Sequence, residues 1–402
     1  MQETGHLIRL RYIGGGKVRI VDVKAYPLRA TLRNPTGNAL GWNRARVACL
    51  VEVVTDEGLS GWGECGAAQG LEVLAAVVEK QLRPLLIGED PTNTNRLWDK
   101  MFSMYEVGGR TSGISLQAVS GVDIALWDLR GKITGKPVYE LLGGKVRDSV
   151  LGYATGFYYL ETGDPVSLVE HEAHRHLESG FRAIKVKIGG LPIKLDARRV
   201  QVAREAIGPD SLLMIDANQA YTVAAARDLA RRVADYEIGW FEEPLPASEL
   251  RGYVQLKGTI GMPVATGECV YTRFGYREWC AQQAMDVAQP DLCNAGGITE
   301  CARIASMVNA WGMLCVPHAW GTPVGLSATL QLALTLPAAT RAYARFPLIQ
   351  EPALECDQSA NPLREEVAPM PFKLKDGVLT AGDAPGLGVD VDRSALDRFL
   401  VR

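Results

Sequence analysis

Three carboxylates stand at or just beyond the ends of three apolar runs. Asp216 follows Leu212-Leu213-Met214-Ile215, Glu242 follows Ile238-Gly239-Trp240-Phe241, and Glu268 comes shortly after Met262-Pro263-Val264-Ala265, with about 25 residues between one acid and the next. Carboxylates are hard oxygen donors, suited to a divalent cation such as magnesium whose other positions go to water or substrate. A strand-end cap or an ion pair explains any one of them alone. One acid per strand end, three times over, favours a shared metal.

Nitrogen bases accompany the acids. Lys185-Val186-Lys187 puts two amines on one face of a strand, because strand side chains alternate with period two. If that face points into a protein interior or its mouth, mutual repulsion and partial desolvation are expected to lower at least one ammonium pKa towards neutrality, giving a general base. The plain alternative is a pair of exposed lysines at a strand end. His318 follows Leu314-Cys315-Val316-Pro317, and Asp291 closes the apolar run before that one. On adjacent strands the carboxylate would orient the imidazole and raise its basicity. Without such a partner, a histidine after an apolar run is more often a satisfied structural residue.

The elements that must position these groups are short apolar runs without strict alternation, the pattern of strands covered on both faces. Residues 150–155, 183–188, 212–215, 238–241, 262–265, 286–291 and 313–318 repeat the beat, and Ala353-Leu354-Glu355 is a weaker eighth. Helix-length stretches such as 222–234 lie between them, so the expected fold is a parallel sheet flanked by helices. Eight beats predict a barrel whose catalytic groups gather at the C-terminal strand ends. An open doubly wound sheet would instead concentrate its site at one switch point.

Residues 18–145 follow a different pattern: strands over 18–26, 46–55 and 59–64 with an Asp56-Glu57-Gly58 hairpin turn, then helical stretches over 71–86, 93–104 and 115–133. Strands followed by helices predict an α+β capping domain distinct from a barrel over 146–350. Residues 351–402 would supply the last barrel strand and a tail of turn and loop signals that packs back on the capping domain. Residues 1–17 are read as a flexible extension outside the fold. At 402 residues, 47% hydrophobic and 22% charged, the composition is that of an ordinary globular protein.

A net charge of −3 leaves no electrostatic footprint for nucleic acid. No apolar run is long enough to cross a bilayer and no signal peptide opens the chain, so the cytoplasm is the expected compartment. The eight cysteines form no C-x-x-C pair and are expected to be free thiols. His171-Glu172-Ala173-His174-Arg175-His176 reads as an exposed helix face rather than a metal site. Gly-rich segments such as Gly296-Gly297 lack the strand-linked context of a G-x-G-x-x-G nucleotide fingerprint, and no G-x-S-x-G is present.

Lys-x-Lys, Asp-x-Asn, Glu-Glu-Pro, Gly-Glu, Pro-Asp and His, in that order, resemble the enolase superfamily and its mandelate racemase subgroup. Ile124-Ala125-Leu126-Trp127-Asp128-Leu129-Arg130-Gly131-Lys132 and Leu141-Leu142-Gly143-Gly144 resemble its domain-junction signature. The resemblance runs from about Val18 to the C-terminus. It implies a modified TIM-type (β/α)7β barrel with an α+β capping domain built from N- and C-terminal segments. It also implies Mg2+ on Asp216, Glu242 and Glu268, Lys187 as the base on one substrate face beside Lys185, and the Asp291–His318 dyad on the other. Glu355 would stabilise an enediolate, while Asn218 and Trp320 would contact substrate. The chain is most similar to members that act on acid sugars and their lactones, and departs from them at Cys269-Val270-Tyr271 and over residues 34–44.

The reaction so implied is Mg-dependent removal of the α-proton of a small carboxylate, an acid sugar or its lactone, ending in β-elimination as dehydration or lactone cycloisomerisation. A racemase or epimerase of a small carboxylate is the enzyme alternative. A non-catalytic metal- or ligand-binding barrel is the alternative of another class. The resemblance also implies a homo-oligomer.

Overall fold

The computed structural model describes residues 18–66, 70–339 and 351–401. The expected extension over 1–17 lies outside them. The short apolar runs form parallel strands Val150–Thr155, Ala183–Lys187, Leu212–Asp216, Ile238–Glu242, Val264–Thr266, Val287–Ala288 and Leu314–Cys315, each paired with the next. Ala353–Asp357 pairs in parallel with the far side of Val150–Thr155. Closure is visible in the interior. Tyr153, Ala183, Met214, Trp240, Ala265, Val287, Leu314 and Ala353, one from each strand, pack in a single buried cluster. A barrel fills its centre with side chains from successive strands in this way.

Helices such as Pro165–Glu178, Val223–Arg232 and Pro323–Ala333 cover the outside. Their starts are written locally: the side chains of Asp164, Thr222 and Thr322 accept from Ser167, Ala225 and Val324 N–H groups, satisfying donors that the first turn leaves free. Pro165 and Pro323 occupy first helical positions, where the missing N–H costs nothing. Among the described residues no helix is long and apolar enough to cross a membrane.

The N-terminal unit is an antiparallel meander, Ile20–Asn38, Gly41–Thr55 and Ser60–Cys65, backed by helices Thr94–Glu106 and Ile114–Thr134. The helical stretch starting at Leu71 is interrupted by a π-helical segment, Val77–Leu82. Buried polar groups tie this unit to the barrel. Glu64 accepts from the Thr322 and Gly325 N–H groups and the Thr322 hydroxyl, Trp98 Nε1 donates to the Gly296 carbonyl, and Asp123 accepts from Thr299.

Three expectations need correction. Residues 34–44 belong largely to a hairpin: the first two strands are far longer than expected and pair out to Asn38↔Gly41, absorbing a register shift between Thr31 and Thr36. That tip also pairs with Tyr159–Leu160 beyond the first barrel strand. The tail contains a real hairpin, Phe372–Lys375 with Val378–Ala381, which adds to barrel strand Val150–Thr155; helices Pro362–Glu366 and Arg393–Phe399 pack on the meander, the latter beside Leu28↔Leu400 and through Arg393 to Glu52. His176 is buried against Phe157 and Phe181, because it lies on the inward side of a helix whose other histidines face out.

Candidate functional site

Parallel register brings the strand ends together. Lys187 stands opposite Asp216, and Asp216 opposite Glu242, so three charged residues share one rim. Immediately after each acid the backbone turns through the left-handed region at non-glycine residues: Asn218 at φ 42°, Gln219 at φ 68° and Glu243 at φ 39°. Such conformations persist only where the surroundings enforce them. Here Asp216 Oδ1 accepts the Asn218 N–H at 2.8 Å, and the Glu243 N–H donates to the Ala265 carbonyl at 2.9 Å.

Lys185 is the centre of the charge network. Its Nζ donates to Glu242 Oε1 and lies 3.1 Å from Glu355 Oε1 and 3.6 Å from Asp216 Oδ2. Lys187 Nζ donates to Asp216 Oδ2 at 2.5 Å. The expectation of a lowered lysine pKa fails in this arrangement. Burial pushes the Lys185 ammonium down, but Glu242, Glu355 and Asp216 outweigh it and hold the group well above its ordinary value. Burial also acts on Lys187, and the Asp216 carboxylate overcomes both that and the repulsion from Lys185, again raising the pKa. Strand alternation reveals the neighbouring cation but not the acids that face it across the barrel. Asp216 shows the reverse effect: burial would raise its carboxyl, but Lys187 and Lys185 hold it down to about 2.

On the other side, His318 Nδ1 lies 2.6 Å from Asp291 Oδ2, while Nε2 is 3.4 Å from Glu268 Oε2 and 3.6 Å from Glu355 Oε2. Burial disfavours the imidazolium, yet Glu268, Asp291 and Glu355 push its pKa well above the ordinary range. Glu355 therefore bridges the two halves, with one oxygen towards Lys185 and the other towards His318. Lys185, Lys187, Asp216, Glu242, Glu268, Asp291, His318 and Glu355 form one continuous network of contacts. Asn218 adjoins it through the backbone, and Trp320 stands farther along, its ring carrying the Arg46 guanidinium at 5.1 Å.

The donor set fits a hard divalent cation. Asp216, Glu242 and Glu268 offer only oxygen, and Glu355 Oε2, Asn218 Oδ1 and Gln289 Oε1 are buried without hydrogen-bond partners among the described residues. Among the described residues a different trio is closely grouped: ligand atoms of Glu243, Glu268 and Cys269 all lie within 4.8 Å of one another. Cys269 is a soft donor, so this trio suits a hard cation less well.

Several neighbours carry no signal in the sequence. Gln289 Nε2 and Trp240 Nε1 both donate to Glu242 Oε2, at 2.7 and 3.0 Å, fixing its rotamer. The second acid of Glu-Glu-Pro, Glu243, is visible in the sequence as a motif residue. Nothing local marks Arg46, or Tyr158, whose ring centre lies 5.9 Å from Lys187 Nζ; both gain meaning only from what they face.

Residues 20–143 match the family model of the mandelate racemase / muconate lactonizing enzyme N-terminal domain, and residues 168–395 match that of the enolase C-terminal domain-like family. The chain is 39% identical over 383 residues to D-galactarolactone cycloisomerase of Agrobacterium fabrum, covering 95% of this chain and 99% of that protein. It is 34% identical over 348 residues to arabinonate dehydratase of Saccharolobus solfataricus, covering 87% and 89% respectively. Among solved structures it is similar to a racemase from Streptomyces coelicolor with bound magnesium, at TM-score 0.84 and 29% identity, covering 95% of this chain and 100% of that one.

Proposed function

This chain belongs to the mandelate racemase / muconate lactonizing enzyme family of the enolase superfamily, enzymes of the lyase and isomerase kind, and we propose that it removes the α-proton of an acid sugar or its lactone and expels the β-oxygen. The observation that carries this reading is the pair of nitrogen bases, Lys187 and His318, attached to one carboxylate network, with Glu355 reaching Lys185 on one side and His318 on the other.

A carbon acid beside a carboxylate is too weak for an ordinary base unless the developing enediolate is stabilised as it forms. Asp216, Glu242 and Glu268 are assigned to hold Mg2+, which when bound supplies positive charge at the substrate carboxylate. Lys185, kept cationic by its acids, adds a donor to the same oxygens. Glu355 is placed to hydrogen-bond the enediolate. Lys187 is the base on one face, and becomes one when the Asp216 carboxylate that holds its proton is engaged elsewhere. His318 is the acid or base on the other face, with its Nδ1 fixed by Asp291. The α-proton passes to one nitrogen, the C–O bond at the β-carbon breaks, and the departing oxygen takes a proton from the conjugate acid. Loss of hydroxide gives dehydration and an enol that ketonises. When the departing oxygen is the lactone's, the ring opens. The resemblance extends the reading to a homo-oligomer, which sedimentation velocity tests.

Bases on both faces also support a second reading, epimerisation, in which the proton returns from the opposite side. A panel of acid sugars and lactones incubated with Mg2+ in deuterated water and followed by proton NMR separates the two. Elimination products from at least one substrate are expected. Deuterium at the α-carbon without loss of the β-oxygen would favour epimerisation, and neither on any substrate would overturn the proposal.

A further inference from the structure

Arg46 is a buried cation with no anion paired to it among the described residues. It lies on the meander strand Gly41–Thr55, is 1% exposed, and donates its described hydrogen bonds to neutral groups: the Ser359 hydroxyl at 2.7 Å, the Ala360 carbonyl at 3.2 Å and the Thr36 hydroxyl at 3.4 Å. Nearby Asp357 does not serve as its counter-ion, because its Oδ2 is taken by Arg364 at 2.6 Å and by the Ser359 hydroxyl that stands between. A buried charge without a partner is costly, and so is a buried donor without an acceptor. Arg46 Nη1 is such a donor, and Trp320 Nε1 is another.

The two donors belong to one place. The guanidinium lies 5.1 Å from the Trp320 ring centre and 5.6 Å from that of Tyr158, and Lys187 Nζ lies 5.9 Å from the same Tyr158 ring. Trp320 comes two residues after His318. An anionic oxygen pair bound here would sit beyond the two bases, on the side closed by the meander.

We propose that Arg46 and Trp320 form a receptor for a second carboxylate, so that the substrate is a sugar diacid or the lactone of one, held by its reacting end at the carboxylate rim and by its distal end at Arg46. The inference rests on the reaction proposed above and narrows its substrate class. Arg46 acts in binding and selection and takes no part in the proton transfers. A planar guanidinium with a free N–H suits a carboxylate far better than the hydroxymethyl end of a mono-acid.

The test compares diacids with mono-acids of matching stereochemistry on wild type, Arg46→Met and Trp320→Phe, all with Mg2+. The ratio of kcat/KM for diacid over mono-acid is expected to fall at least about 100-fold in Arg46→Met and less in Trp320→Phe. Because each variant supplies its own mono-acid reference, general misfolding lowers both numbers and leaves the ratio alone. An unchanged ratio in Arg46→Met, or no diacid preference in wild type, would overturn the proposal. Calorimetric binding of adipate against hexanoate needs no turnover. Adipate binding lost in Arg46→Met supports the receptor even if no acid sugar reacts, in which case the reaction assignment alone falls. Adipate bound equally by both proteins removes the receptor whatever the turnover.

Discussion

Nδ1 of His318 lies 2.6 Å from Oδ2 of Asp291, and the other Asp291 oxygen accepts the Cys293 N–H at 2.6 Å. The carboxylate is thus fixed by the backbone and in turn fixes the imidazole, leaving Nε2 directed at Glu268 and Glu355. Replacing Asp291 by Asn removes the charge that favours the imidazolium and allows the wrong tautomer. A loss of about 10²- to 10⁴-fold in kcat is expected, by analogy with other carboxylate-oriented histidines. Steady-state kinetics of Asp291→Asn, with circular dichroism to establish folding, checks it; turnover within a few-fold of wild type would remove the dyad from the mechanism.

Lys187 and His318 are assigned to opposite faces, which gives a stereochemical signature. Lys187→Met should abolish α-deuterium exchange for substrates whose proton faces the lysine and leave exchange measurable for their α-epimers. His318→Asn should do the opposite. Proton NMR of both epimers with both variants reads the four combinations. Loss of exchange for the same epimer in both variants would place the two nitrogens on one side.

Magnesium should both switch on the enzyme and stabilise it. Chelation is expected to abolish turnover and added Mg2+ to restore it. A cation that binds only the folded state stabilises by about 2.7 kcal/mol at a hundredfold excess over Kd, so the thermal midpoint should rise with Mg2+ in wild type. In Asp216→Asn the rise should shrink or vanish. A midpoint insensitive to Mg2+ in wild type would argue against the assigned ligands.

The rim is legible in the sequence because parallel strands place successive C-terminal ends side by side, so Asp216 and Glu242 can be read as neighbours from spacing alone. Asp291 and His318 follow from the same logic. The lysine pKa cannot be read that way, because Lys185 answers to Glu242 and Glu355, and the latter comes from the last strand of the barrel. Strand Phe372–Lys375 escapes for a related reason. It is short and only half-buried, and its hairpin is held by Val150 and Leu151, more than two hundred residues earlier in the chain. Arg46 looks like any strand arginine until Ser359 and Trp320 surround it.

Away from the rim, Asp123 joins the two units and makes stability depend on pH. It is fully buried, accepts the Thr299 N–H at 2.8 Å and the Thr299 hydroxyl at 2.6 Å, and packs where a side chain at Gly297 would approach its Oδ2 to 2.3 Å. Burial raises its carboxyl from 3.8 to about 7 despite those bonds. Below the unfolded value both states are protonated and stability from this group is whole. As pH rises towards about 7, the unfolded chain ionises while folded Asp123 keeps its proton, so stability falls by up to about 1.4 kcal/mol per pH unit. Above about 7 the loss is complete and levels off. Asp123→Asn keeps the shape without the titration, so its thermal midpoint relative to wild type should climb between about pH 5 and about 7 and then flatten. Calorimetric scans of the two proteins across that range measure the difference, and parallel curves would show that Asp123 is ionised in the folded protein throughout.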